Sequence, residues 1–393
     1  MRREFPGSTT QPTRSDILRR QVDESPDDIS RLEALLFLAR YFADAADGVK
    51  GLAAAGEARS LALRLSDFAA VANALNSASI SQYHRSDYVS AIATAIDAWE
   101  FAQRSGSTAE KVSSYISTGL ALQALGASDI AMKVIEKGLV LTRASGPLRE
   151  HRIRLIRLKA MLTAMTGTMD AATELFREAT QLAEHGTRMQ FAASHGNWGI
   201  ALLRRAENLV AQEMPAHELL AESRLHIEKA LAIAEEDGDA LVVTDRMASL
   251  GMIALLEGRM EEAESQLGIA LDRSRSLDYV RTAVFTSVSL GKLYLRRRDL
   301  ASAVSVLRHA VALARRGAAE DILAWAQTLL AEALEQQGLG SEAAIQRSAA
   351  AKLRDDNKLY RRVAAEDAVR LAARILGDEI KLDIDQAALQ PSF

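Results

Sequence analysis

A small side chain returns at a fixed interval through most of this chain, and no other feature narrows the possible folds as far. The residues are Ala91, Ala131, Ala172, Ser223, Ala263, Ala303 and Ala343, at spacings of 40, 41, 51, 40, 40 and 40. Four residues later come Ala95, Ile135, Phe176, Ile227, Leu267, Leu307 and Arg347. Three further on stand Ala98, Gly138, Ala179, Ala230, Ala270, Ala310 and Ala350, small in every copy. Steps of four and three place these residues on one helix face. A register held over about 250 residues implies one supersecondary unit written repeatedly, each copy burying its apolar face against the next.

The unit is a helical hairpin. Twelve residues before the small residue stand Ser79, Gly119, Ala160, Gly251, Gly291 and Ala331, where a small side chain lets a preceding helix lie close. Between the two helices, glycine recurs at one offset, as Gly126, Gly167, Gly258 and Gly338, and is expected to take the left-handed conformation that ends a helix. Gly106, Gly146, Gly186 and Gly317 are expected to do the same at the turns between hairpins. Composition agrees with helix throughout. Apolar residues make up 48% but aromatics only 5%, so alanine and leucine form the core, which suits close helix packing better than sheet. Only Pro147 and Pro215 fall between Asp27 and Gln390, so helix can run almost unbroken.

The ends depart from the register. Residues 1–14 are polar and hold two prolines, so they read as a disordered N-terminus without the apolar core of a signal peptide. Residues 15–66 read as a divergent helical pair that caps the array, with Asp27-Asp28 placed to start a helix. The array spans 67–354, a separate capping helix is expected over 355–384, and 385–393 reads as a flexible tail. The fourth hairpin, opened by Trp198-Gly199, runs late, because Ser223 follows an extra stretch containing Pro215. Two readings stay open for that stretch: tolerated loop length, or a hairpin that projects as a contact element, with Pro215 in the first turn of its second helix.

Within this scheme, Leu290-Gly291, Tyr294, Ala303, Leu307 and Ala310 match residue by residue a known signature: large-then-small, an aromatic, then alanine, a large apolar residue and alanine. The pattern resembles the tetratricopeptide repeat (TPR), and the resemblance covers roughly Asp67 to Arg354. It departs in its period, near 40 rather than about 34, and in lacking a closing proline in each repeat. Longer repeats of this kind resemble those of kinesin light chains and of bacterial regulators with TPR sensor regions. The resemblance implies an all-α fold, a right-handed α-α superhelix (TPR solenoid) of antiparallel helix pairs with terminal capping helices. It also implies a concave groove lined by the first helix of each pair. Carried onto this chain, the groove positions include Asn73, Asn76, Tyr83, Arg154, Arg157, Asn197, Arg204, Lys292, Arg296 and Trp325, with Asp245 and Met252 also turned inward. Asparagine amides can hold an extended peptide backbone, and arginines can take carboxylates by paired bonds.

Signals for chemistry are sparse. There is no cysteine, which excludes disulfides and thiolate sites and fits a reducing, cytoplasmic location. No phosphate loop or GxSxG elbow occurs, and the seven histidines, read as surface or interface side chains, show no metal-ligand spacing. No catalytic residue, metal or cofactor is therefore expected. No apolar run is long enough to cross a bilayer. Net charge is −4, and basic clusters such as Arg296-Arg297-Arg298 lie near helix ends without interleaved aromatics, which argues against nucleic acid. The favoured reading is a non-catalytic scaffold or adaptor that binds a protein or peptide segment, acidic in character, in a bacterial regulatory or assembly context. A second reading stays open: a sensory or regulatory solenoid that binds a small signal or associates with itself and changes curvature.

Overall fold

The computed structural model describes residues 14–143, 146–277, 279–316 and 320–377. The expected irregular start up to residue 13, the tail 385–393 and Gly317 lie outside them. A short helix α1 (Arg14–Asp23) leads into hairpins α2 (Asp28–Asp44) with α3 (Gly48–Arg64) and α4 (Phe68–His84) with α5 (Tyr88–Ser105). Next come α6 (Thr108–Ala124) with α7 (Ser128–Leu141), α8 (Arg149–Thr166) with α9 (Met169–Glu184), and α10 (Arg188–Ala211) with α11 (His217–Glu236). The chain continues with α12 (Ala240–Leu256) and α13 (Met260–Ser276), α14 (Val280–Arg296) and α15 (Leu300–Arg316), and α16 (Glu320–Gln336) and α17 (Gly340–Leu376). No strand occurs among the described residues.

The chain divides into two compact bodies, Met1–Ser117 and Thr118–Phe393. In the N-terminal body α1 to α5 pack in succession, and α2 also touches α4. In the C-terminal body α7 to α17 pack in succession. There first helices also touch first helices: α8 on α10, α10 on α12, α12 on α14, and α14 on α16. First helices therefore share one face in each body, and second helices cover the other.

Local sequence accounts for the helix starts. Asp27, Asp47 and Asp67 recur every 20 residues, and each carboxylate accepts the backbone N–H three residues on, at Ser30 (2.8 Å), Lys50 (3.0 Å) and Ala70 (2.9 Å). Each cap satisfies an orphan donor of the first turn and contributes about 1 kcal/mol. The turn inside the hairpins is left-handed at a fixed offset, with φ of 82° at Gly126, 79° at Gly258 and 83° at Gly338. The same conformation is imposed on Ser86 (62°) and Arg298 (59°), so register prevails over residue preference there. Gly167 departs from expectation, with φ of −124°, because Thr168 starts α9 by accepting from the Ala171 N–H instead. Gly106 is left-handed as expected, whereas Gly146 and Gly186 are not.

The small residues mark where helices cross. A methyl added at Gly291 would lie 2.5 Å from the Leu307 side chain, at Gly251 2.7 Å from Leu267, and at Gly199 2.7 Å from Ile227. Where serine replaces glycine or alanine at a crossing, its hydroxyl donates to the backbone carbonyl of the paired helix. Ser79 does so to Ala91 and Ser223 to Gly199, both at 2.7 Å. Ala303, Leu307 and Ala310 are fully buried.

Two elements differ from the sequence reading. The fourth hairpin is longer than its neighbours, and its extra length is partly covered: Ala206 is buried, and Leu209 and Val210 are half-buried, in one apolar cluster with Leu203, Leu255 and Leu293. Leu203, Ala206, Leu209 and Val210 continue the apolar stripe of α10, and leaving such a stripe in water would cost roughly 1.5–3 kcal/mol per large side chain. Pro215 precedes α11 rather than entering its first turn. At the other end, the helix expected over 355–384 is continuous with the preceding one, as α17 runs 37 residues from Gly340 to Leu376. At 1.5 Å per residue it is about 55 Å long. Its far end returns to α7, where Lys137 donates to the carbonyls of Ile375 (3.3 Å) and Leu376. A cation there satisfies terminal carbonyls and opposes the negative end of the helix dipole.

Candidate functional site

The first-helix faces carry the residues singled out from the sequence, and the structure gives these residues different roles. In the N-terminal body the asparagines are committed to cohesion. The Asn73 amide donates to the Glu110 carboxylate (2.9 Å). The Asn76 amide donates to both the carboxylate (2.9 Å) and the backbone carbonyl (3.0 Å) of Glu110. The Asn76 carbonyl accepts from Ser114 (3.0 Å), and Asn76 is buried. These amides brace α4 to α6. Tyr83 packs its ring against His84 and Tyr88, at 5.2 and 5.8 Å between centroids.

The same brace recurs in the C-terminal body with other residues. Asp245, in the position equivalent to Asn73, accepts from Tyr279 (3.0 Å) and Thr282 (2.5 Å) of the following hairpin. Burial and the adjacent Asp245 carboxylate hold the Tyr279 hydroxyl far above the usual phenol range, so it stays a donor. Met252, expected in the groove, is fully buried.

Farther along, this position holds Phe285 and then Trp325, both half-buried. Their rings lie 6.1 Å apart between centroids, tilted by 42°. Lys292, next to the crossing residue Gly291, places its ammonium 4.6 Å from the Trp325 ring centroid and 3.5 Å from the Glu207 carboxylate. A cation over an indole is attracted by the ring quadrupole. Glu207 belongs to the extra length of α10, which brings a carboxylate past α12 to a lysine on α14. Arg296 donates to the Leu255 carbonyl (2.7 Å) near the end of α12, as a cation near a helix C-terminus is expected to do. Arg154, Arg157 and Asn197 are half-buried on α8 and α10, and Arg204 is exposed.

The sequence reading missed three participants. Phe285 was legible, since it holds the same place in its repeat as Trp325. Glu207 was not, because it lies in the stretch that breaks register. The third is a pair among the histidines read only as surface or interface side chains. His195 of α10 and His226 of α11 are buried, their Nδ1 atoms 2.7 Å apart, one donating to the other. Trp198 stacks on His226 at 3.9 Å and Phe191 meets His195 edge-on at 4.6 Å. Burial, aided by Lys229, pushes both rings down to about 4, so both are neutral near pH 7. Among the described residues no three metal-ligating side chains gather, and no helix is long and apolar enough to cross a membrane.

No protein-family model matches this chain, and no curated protein does. Solved structures do. The chain is similar to a Rap protein complexed with Competence and Sporulation Factor, at 14% identity and TM-score 0.53, over 84% of this chain and 99% of that one. It is similar to the apo form of RapI, at 12% identity and TM-score 0.52, over 89% of each chain. BtubC from P. vanneervenii matches at 18% identity and TM-score 0.45, over 60% of this chain and 92% of that one. At these identities the likeness is one of fold. The fold is an all-α, TPR-like array of helix pairs.

Proposed function

We propose that this protein is a non-catalytic adaptor that holds a protein or peptide segment on the first-helix face of its C-terminal body. The observation that carries the reading is the half-buried Phe285–Trp325 pair with Lys292 beside it. An aromatic pair with a cation held over one of its rings suits an apolar side chain next to a carboxylate. Arg154, Arg157 and Arg204 add positive charge to the same row of helices and favour an acidic segment. Asn73 and Asn76, bonded to Glu110 and Ser114, are left out of the proposed contact surface. The similar Rap structure, which holds Competence and Sporulation Factor, adds support for a peptide-sized partner. The burial of the close pair His195 and His226 agrees with a role in packing rather than proton transfer. A bacterial regulatory or assembly setting in the cytoplasm is part of the proposal.

The test is capture of partners from the source cell's extract by tagged wild-type protein and by the Arg154→Glu, Arg157→Glu double variant, at matched salt. The variant is expected to lose most captured partner while keeping the wild-type melting temperature. Retention of the same partners at the same yield would remove the groove reading.

A second reading, a regulatory solenoid that changes curvature on binding a small signal or a second copy, draws on the return of α17 to α7. The bonds from Lys137 of α7 to the last carbonyls of α17 are contacts that a change of curvature would have to alter. A change in hydrodynamic radius on ligand titration would favour it, and an unchanged radius would count against it.

A further inference from the structure

Lys292 is the cation closest to the aromatic pair, and the chain supplies it with its own carboxylate. Glu207 does not belong to the regular repeat. It stands on the length by which α10, at 24 residues, exceeds the 17 of α12, α14 and α16. That extra length is anchored by Ala206, buried in the cluster with Leu255 and Leu293, and by the half-buried Leu209 and Val210. The carboxylate is thus positioned by the fold rather than left to diffuse. Yet the pair it makes is loose: 3.5 Å, with both side chains 29% accessible. Ion pairs this open to water contribute little, about 0–1 kcal/mol. A buried, well-paired Lys292 would be part of the core. This one is held near Trp325 by a partner that another carboxylate can replace.

We infer that Glu207 is an internal competitor for an acidic ligand, occupying at Lys292 the place where a partner's carboxylate would sit while the partner's adjacent apolar side chain lies on Phe285 and Trp325. The inference rests on the groove reading above and adds to it the ligand's chemistry and a built-in brake. The committed occupant is a peptide segment carrying a carboxylate next to a large apolar side chain. Charge complementarity argues for it, since Arg204, Arg205, Lys292 and Arg296 outnumber Glu207 on the neighbouring stretches of α10 and α14. The chain's own choice of a carboxylate at Lys292 argues for it as well.

The experiment uses the full chain and two fluorescein-labelled octapeptides, one alternating glutamate with leucine and one with glutamine in place of each glutamate. Binding is read by fluorescence anisotropy. Glu207→Gln is expected to tighten the glutamate peptide by about 3- to 10-fold and leave the glutamine peptide unchanged. Adding Lys292→Gln to Glu207→Gln should abolish that gain. An unchanged affinity in Glu207→Gln, an equal gain for both peptides, or no measurable binding of either peptide to that variant would each overturn the inference. Failure here together with loss of partner capture in the Arg154→Glu, Arg157→Glu variant would leave the groove reading standing. Normal capture in that variant would remove the groove reading itself.

Discussion

Asn73 and Trp325 hold the same place in two copies of one repeat, and their surroundings could hardly differ more. In the N-terminal body the position is polar, and its amide joins Asn76 in binding Glu110 and Ser114. In the C-terminal body Asp245 repeats the brace through Tyr279 and Thr282. One and two hairpins farther on, this same position is aromatic, as Phe285 and Trp325, and among the described residues these two rings are joined by packing rather than by a side-chain hydrogen bond. A first-helix side chain can bind the neighbouring repeat or a partner, but one set of atoms does not do both well. Braced stretches hold the array together, and the unbraced aromatic stretch is where we propose that a partner binds.

The largest expected effect tests the part of the first-helix row filled by neither brace nor aromatic pair, the His195–His226 contact. Both rings have folded values near 4, against about 6.5 in an unfolded chain. Between these limits the unfolded state binds more protons. Stability is therefore complete above pH 6.5 and falls as pH drops toward 4, by about 1.4 kcal/mol per pH unit for each proton. A first proton can still be shared between the two Nδ1 atoms, whereas a second leaves two donors facing each other. Urea unfolding across this range should show the slope, and His226→Phe should reduce it by about half. An equal slope in that variant would show that other groups carry the acid sensitivity.

A smaller loss would separate the braced stretch from the open one. Asn76→Ala strips the half-buried Glu110 carboxylate of one partner and the buried Ser114 hydroxyl of another, and should cost about 2–3 kcal/mol in urea unfolding. A cost below about 0.5 kcal/mol would make the brace incidental and remove the contrast with Trp325. The smallest effect is a gain. Arg298 is held at φ 59°, where its counterparts Gly126, Gly258 and Gly338 are glycine. Arg298→Gly should raise stability by about 0.5–1 kcal/mol in thermal unfolding, since a β-carbon is disfavoured there. A loss instead would mean that Arg298 contributes through its side chain.

Much of the array was legible because its information is local. The recurrence of Gly251 and Gly291 twelve residues before Ala263 and Ala303 is a statement about one hairpin, and the structure places each glycine under the leucine that the repeat predicts. The candidate site was legible in outline only. Lys292 and Trp325 were read as inward-facing and do meet. Asn73 and Asn76 were read the same way, yet Glu110 engages both, a pairing that depends on how far one hairpin rotates against the next. The extra length in the fourth hairpin was visible, but its partial burial was not, because that depends on apolar partners such as Leu255 in another hairpin.

By itself the sequence determined the class of fold, the number and register of the regular hairpins, and the places where helices cross. Periods of three, four and forty residues are enough to specify those, since each concerns contacts within a hairpin or between neighbours. Only the tertiary structure decided that Glu207 faces Lys292, that His195 and His226 share a hydrogen bond under Trp198, and that Lys137 receives the end of α17. Each of these joins residues whose spacing follows no repeat. Such contacts are set by small rotations that accumulate from pair to pair, and those rotations arise from packing rather than from any local pattern in the chain.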